Sequence, residues 1–120
     1  ATLNSCQIDG NEAFYGGGLF IDNGGSATLD YSDILGNTAH YGNEGGGGLY
    51  IGTLGSATLD HCVVSGNNDA YYGYGDGLYI GSEGTATLTC CTVEDAIYGS
   101  ATQVSVSTSL CPSGEFRDGC

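Results

Sequence analysis

Fourteen carboxylates stand against one arginine, Arg117, and no lysine in 120 residues, for a net charge of −13. Hydrolysis of glycosides needs two carboxylates across a sugar, and among so many acids some pair always lies at a suitable distance. Only an acid that interrupts the pattern of the chain would stand out, and none is expected to. Lyases of acidic sugars need Arg or Lys as base and cations to offset substrate charge; this chain has no Lys and its one Arg lies far from the repeats. His40 and His61 fall in different columns of the pattern and no CxxC spacing occurs, so zinc is not expected. The run Gly45 to Gly48 precedes a strand and lacks a following Lys, which speaks against phosphate binding. No Ser/His/Asp or Cys/His triad has a supporting motif. Asp30 and Asp60 recur at one place and should stack about 5 Å apart. Their repulsion is only about 1 kcal/mol in water, so no metal is required, and weakly bound calcium bridging them is the metal candidate. No catalytic residue is assigned and no cofactor is expected.

The aromatics are the stronger lead. Phe20, Tyr50 and Tyr79 recur at one outward place and should form a ladder, with Tyr15, Tyr41, Tyr71, Tyr72 and Tyr74 crowding the loops beside it. Stacked rings stabilise neighbouring strands by about 0.5 to 1.5 kcal/mol per pair. An exposed cluster of them also marks an interface or a sugar platform, and Phe20, Tyr50, Tyr79, Tyr15, Tyr41 and Tyr72 are the candidate contact face. Thr2, Thr28, Thr58 and Thr87 make an outward column, but one column flanked by Asp is too narrow for ice binding, and β-branched packing explains it.

What must position these residues is a repeat. GGLYIGTLGSATLDHC, Gly47 to Cys62, has an earlier copy at Gly17 to Ser32 and a later one at Asp76 to Cys91, and Ala1 to Cys6 is the tail of another. From the Ala of ATL to the Asn of the next turn is always 10 residues, and from the Leu of GGL to the next ATL always 8. Between that Asn and the next Leu the distance is 8, then 12, then 11, so every insertion falls in one place, as on one side of a stack. Ala27, Leu29, Ser32 and Ile34, and their equivalents Ala57, Leu59, Cys62 and Val64, alternate as a strand with one buried face does. Leu49 and Ile51 point inward and Tyr50 outward. Twenty-three glycines and no run of helix formers exclude a helical reading. The expected fold is all-β: a right-handed parallel β-helix of about four coils, with two or three short strands per coil. Asn11, Asn37 and Asn67 form a turn ladder, each able to tolerate a left-handed corner and to hydrogen-bond between coils, with the preceding Gly at positive φ.

The GN turn followed by GG-aliphatic (ILGNTA at Ile34 to Ala39, GGGLYI at Gly46 to Ile51) resembles the FxxN and GGAI repeats of polymorphic outer-membrane proteins and related β-helix surface proteins, over about Ala1 to Val93. Ile or Val stands in place of Phe, and Leu follows a third Gly. The resemblance implies surface display and adhesion, and its motifs are structural, so no catalytic residue carries over. After Val93 the GN turn is lost. CPSGEFRDGC, Cys111 to Cys120, resembles the opening of cysteine-rich modules of the ephrin-receptor-like or tumour-necrosis-factor-receptor type, with Phe116 where Tyr is usual. That resemblance implies a Cys111–Cys120 disulfide and further modules beyond. The chain then divides into β-helix repeats at 1–93 and, at 94–120, an exit segment with the start of a cysteine-rich module.

Six cysteines with neither Lys nor Met suggest an extracellular compartment. Cys6, Cys62 and Cys91 share one inward column with Ser32; Cys62 and Cys91, on adjacent coils, are close enough to bridge or to stack as free buried thiols. No apolar run approaches 18 residues, so no membrane insertion is expected, and the charge makes nucleic acid a poor partner. No Asn-x-Ser/Thr sequon is present, although a glycoprotein is plausible outside the cell. About four coils make a stack only about 19 Å tall, with large end faces and an uncapped first coil that starts in mid-repeat. The expectation is a structural extracellular module that self-associates or stacks on neighbouring modules in a surface or filament-like assembly. The alternative is an adhesin-like module binding glycan on the tyrosine ladder; a polysaccharide-active enzyme or an ice-binding protein ranks below both.

Overall fold

The structure, a computed structural model, describes residues 1–40, 45–70, 75–99 and 104–107. Its sixteen described strands are β1 Thr2–Asn4, β2 Gln7–Asp9, β3 Glu12–Ala13, β4 Leu19–Ile21, β5 Ser26–Asp30, β6 Asp33–Leu35, β7 Thr38–Ala39, β8 Leu49–Ile51, β9 Ser56–Asp60, β10 Val63–Ser65, β11 Asn68–Asp69, β12 Leu78–Ile80, β13 Thr85–Thr89, β14 Thr92–Val93, β15 Ile97–Tyr98 and β16 Val104–Ser107. They stack into four parallel sheets: A (β1-β5-β9-β13-β16), B (β2-β6-β10-β14), C (β3-β7-β11) and D (β4-β8-β12-β15). One coil therefore carries four short strands, one more than the upper expectation. The extra one is the two-residue strand of sheet C, too short to show an alternation in sequence. No helix among the described residues is long and apolar enough to cross a membrane.

Register follows the repeat residue for residue. Ala27 pairs with Ala57 and Leu29 with Leu59, Ile34 with Val64, Leu49 with Leu78 and Ile51 with Ile80. The alternation buries what it predicts: Leu29, Ser32, Ile34, Leu49, Ile51, Leu59 and Val64 have no exposed surface. Each coil closes on columns of equal residues because parallel pairing brings the same position of the next coil directly above.

Corners come from backbone chemistry. Gly10, Gly36 and Gly66 hold φ of 65, 61 and 68° at the GN turn, and the Asn that follows is not left-handed. The corner leading from sheet A to sheet B instead uses side-chain-bearing residues: Ser5, Tyr31, His61 and Cys90 all sit at φ near 52°. Such a conformation costs roughly 1–2 kcal/mol each. It is offset because the turned N–H still reaches the next coil, Ser5 to Asp30 O at 2.9 Å, Tyr31 to Asp60 O at 2.8 Å and His61 to Thr89 O at 2.9 Å.

The paired glycines before Leu19 and Leu49 of sheet D have another cause. A Cβ on Gly47 would stand 2.5 Å from Asp76 O, and one on Gly48 2.6 Å from Gly77 O. At Gly47 and Gly48 the backbone of the next coil approaches too closely for a side chain.

Pairing does not stop at Val93. Strand β15 pairs with β12, Leu78 opposite Ile97 and Tyr79 opposite Tyr98, and β16 pairs with β13 from Ala86–Val104 to Thr89–Ser107. The exit segment placed at 94–120 thus begins inside the stack, with a coil whose GN turn is shortened.

Candidate functional site

Sheet D carries the aromatic ladder. Phe20 stacks on Tyr50 at 4.9 Å with 6° between planes, and Tyr50 on Tyr79 at 5.4 Å and 2°. Tyr79 stacks on Tyr98 at 5.0 Å and 5°. The spacing is the strand spacing of the sheet, so equal rotamers on equal positions must bring the rings face to face. Tyr15 leans in at a tilt, 5.6 Å from Tyr50 and 6.3 Å from Phe20. Three of the predicted rings meet as expected, with Tyr15 beside them. Tyr79 is only 8% exposed, covered on both sides by its neighbours. Phe20 at 50% and Tyr98 at 47% are the open rings. Tyr41 and Tyr72 lie outside the described residues, as do Cys111 and Cys120.

Tyr98 was not among the predicted ring positions. The clue was Ala96-Ile97-Tyr98, which matches Gly77-Leu78-Tyr79 once the missing GN turn is allowed for.

The asparagine ladder runs along the corner between sheets B and C. Asn11 donates its backbone and side-chain N–H groups to Asn37 Oδ1 at 3.0 and 3.1 Å, and Asn37 does the same to Asn67 Oδ1, both at 3.0 Å. The second amide hydrogen goes backward, from Asn37 to Ile8 O and from Asn67 to Ile34 O, each at 2.9 Å. The fourth rung is Asp95, which sequence reading missed. Its Oδ2 accepts both Asn67 N and Asn67 Nδ2 at 2.9 Å, and its Oδ1 accepts Gly66 N at 3.0 Å. A carboxylate has no donor of its own, so the side-chain chain of amides that starts at Asn11 ends there.

The inward cysteine column is as placed, Cys6, Ser32, Cys62 and Cys91, and of the two arrangements open to its adjacent pair the structure has the stacked thiols: Cys62 and Cys91 are buried and not bridged. The Cys62 and Cys91 thiols turn instead to carbonyl oxygens of sheet A, one on the preceding coil and one two residues back in the chain. Cys62 Sγ lies 3.2 Å from Leu29 O and 3.4 Å from Asp60 O, while Cys91 Sγ lies 3.3 Å from Leu59 O and 3.4 Å from Thr89 O. Ser32 O–H donates to Asp30 O at 3.0 Å in the same way. The hydrogen-bonded contact with Cys91, and then burial, push the Cys62 thiol up from its ordinary value.

Asp30 and Asp60 do face each other in register. Asp60, however, is hydrogen-bonded to Nδ1 of His61, whose ring stacks on Tyr31 at 4.7 Å. No group of three or more His, Cys, Asp or Glu that could hold a metal occurs among the described residues. The threonine column is in register from Thr2 through Thr28, Thr58 and Thr87 to Ser105.

One acid does interrupt the pattern. Asp69 stands in the column of Ala13 and Ala39 and is 3% exposed. Its backbone N–H donates to Asp76 Oδ1 at 2.8 Å, and its carboxyl occupies the space a Cβ on Gly45 would need. The Asp at position 69 and the glycine at position 45 are therefore a matched pair. A further acidic contact is Glu12 with His40, 3.2 Å apart on the outer side of sheet C, where both line a groove with Ala13 and Phe14.

A family model described as right handed beta helix region matches residues 1–111. No curated protein and no solved structure matches this chain.

Proposed function

The chain belongs to the right-handed β-helix family, and from that footing we propose that it is a non-catalytic structural module of an extracellular surface or fibrous assembly, built by contact with like units or neighbouring modules. One observation carries this reading: the residues that repeat most strictly are spent on the next coil. Asn11, Asn37 and Asn67 bond to the coil after them, and Phe20, Tyr50 and Tyr79 stack on one another. A grafted catalytic site would instead gather unlike residues from several coils around one point. The exposed aromatics supply the lateral contact, and the strong negative charge fits a soluble outer shell rather than a nucleic-acid or anionic membrane surface. The extracellular setting is supported by the composition, cysteine-rich with neither Lys nor Met. The GN and GGxL repeats resemble those of polymorphic outer-membrane proteins, which are display proteins.

Electron microscopy of the protein, with light scattering in solution, tests the assembly. Filaments or regular oligomers that Tyr50→Ala weakens are the expected result; dispersed single chains at every concentration examined would overturn it. A second reading, glycan binding on the same flank, is favoured by Phe20, half exposed beside Tyr15 and Tyr50. A glycan array separates the two, since Phe20→Ala then abolishes array binding while leaving oligomer size unchanged. Turnover of a polysaccharide that disappears with one carboxylate would displace both.

A further inference from the structure

The groove on the outer side of sheet C has a volume of about 420 Å³ and is lined by Glu12, Ala13, Phe14 and His40. It is separate from the tyrosine ladder on sheet D and does not depend on either reading above. Parallel pairing builds it: Ala13 lies opposite Ala39, and His40 N donates to Ala13 O at 2.8 Å, so His40 and Phe14 follow their strands at the same level. Phe14 is 70% exposed, the most open large apolar side chain among the described residues. The Glu12 side chain is 72% exposed and the His40 side chain 46%.

We propose that this groove binds an organic ammonium group, the amine head of an alkylamine or of a lysine side chain, held between the Phe14 ring and the Glu12 carboxylate. An aromatic ring beside a carboxylate is the pairing that recognises such a cation: the ring quadrupole attracts it from one side and the full charge from the other. Charge complementarity adds to this. The chain has 14 acids against a single Lys or Arg residue, and no lysine or arginine occurs among the described residues. The resulting field concentrates cations and repels anions.

A neutral sugar fits less well. A pyranose needs several polar groups to orient its hydroxyls, whereas the polar lining among the described residues is Glu12 and His40, which already share one hydrogen bond at 3.2 Å. An ammonium group needs only the carboxylate and the ring.

The test is a titration of the isotope-labelled protein with tetramethylammonium chloride, replacing sodium chloride at constant ionic strength and followed by amide chemical shifts. The expected result is saturable shifts confined to residues 12–15 and 38–40. Phe14→Leu and Glu12→Gln, both at exposed positions, should each weaken binding by about two- to fivefold, as loss of an exposed cation–π contact and of an exposed ion pair respectively predict. Circular dichroism confirms that both variants fold. Non-saturating shifts spread over the acidic surface, or full affinity in Phe14→Leu, would mean counterion binding only and overturn the site. Saturation of the same amides by methyl glucoside, but not by tetramethylammonium, would assign the groove to a sugar instead.

Discussion

Asp95 accepts two hydrogen bonds from Asn67 on one oxygen, from the backbone and the side-chain amide, both at 2.9 Å. It thereby occupies the place that Asn67 holds for Asn37 and Asn37 for Asn11, although it is reached through a shorter turn and is a different residue. The ladder is defined by its acceptor oxygen, not by asparagine as such.

Removing that acceptor should therefore uncouple the last coil. Asp95→Ala leaves Gly66 N, Asn67 N and Asn67 Nδ2 without their partner, and bonds to a charged group contribute about 1.5–3 kcal/mol. Chemical denaturation should show a loss of about 2–3 kcal/mol. Asp95→Asn keeps an acceptor oxygen and should retain most of the stability.

The glycine pairs give a sharper contrast. Gly47→Ala places a methyl 2.5 Å from Asp76 O, while on Gly81 the nearest atom is 3.4 Å away and φ is ordinary. Thermal unfolding should show Gly47→Ala losing roughly 1–3 kcal/mol, the usual cost of overpacking, with Gly81→Ala close to wild type.

Within the aromatic ladder an inner ring should matter more than an end ring. Tyr50 stacks on both Phe20 and Tyr79, so Tyr50→Ala forfeits two pairs, about 1–3 kcal/mol beyond the lost burial. Tyr98, the 47% exposed ring at the end of the ladder, should cost less when changed to Ala, having less burial to lose. Equal losses in urea denaturation would overturn this ordering.

The thiol column predicts an alkaline limb. Cys62 is held protonated by Cys91 and by burial, above its ordinary value of 9.0. A group raised in the folded state stabilises fully below its unfolded pKa and loses that contribution as pH rises through its folded value. Stability should thus fall above pH 9.0, and Cys62→Ser, which copies Ser32 one coil earlier, should flatten that fall while costing within about 1 kcal/mol at neutral pH. A pH series of denaturation curves on both proteins decides it.

Much of this was legible without coordinates. Fixed spacings of 10 and 8 residues and a variable third segment determine a coil of constant perimeter with its insertions on one side, because in a parallel stack any change elsewhere would throw every column out of register. The alternation then names the buried face, and Leu29, Ile34, Leu59 and Val64 are buried as it requires. Columns of Asn and of rings follow from the same repetition.

What repetition cannot encode is what happens where it fails, and there only the tertiary structure decided. Asp95 and Tyr98 join their ladders because the last coil still pairs with its predecessor after the GN motif is gone. Asp69 fits an alanine column because Gly45 leaves room for it. Tyr79 is buried, Cys62 stays a free thiol and Asp60 turns to His61 through side-chain choices made against neighbours roughly thirty residues away or next in the chain. Sequence periodicity fixes which residues share a column, since backbone pairing is periodic; exposure, rotamer and hydrogen-bond partner depend on the unlike residues around each column, which only the packed stack brings together.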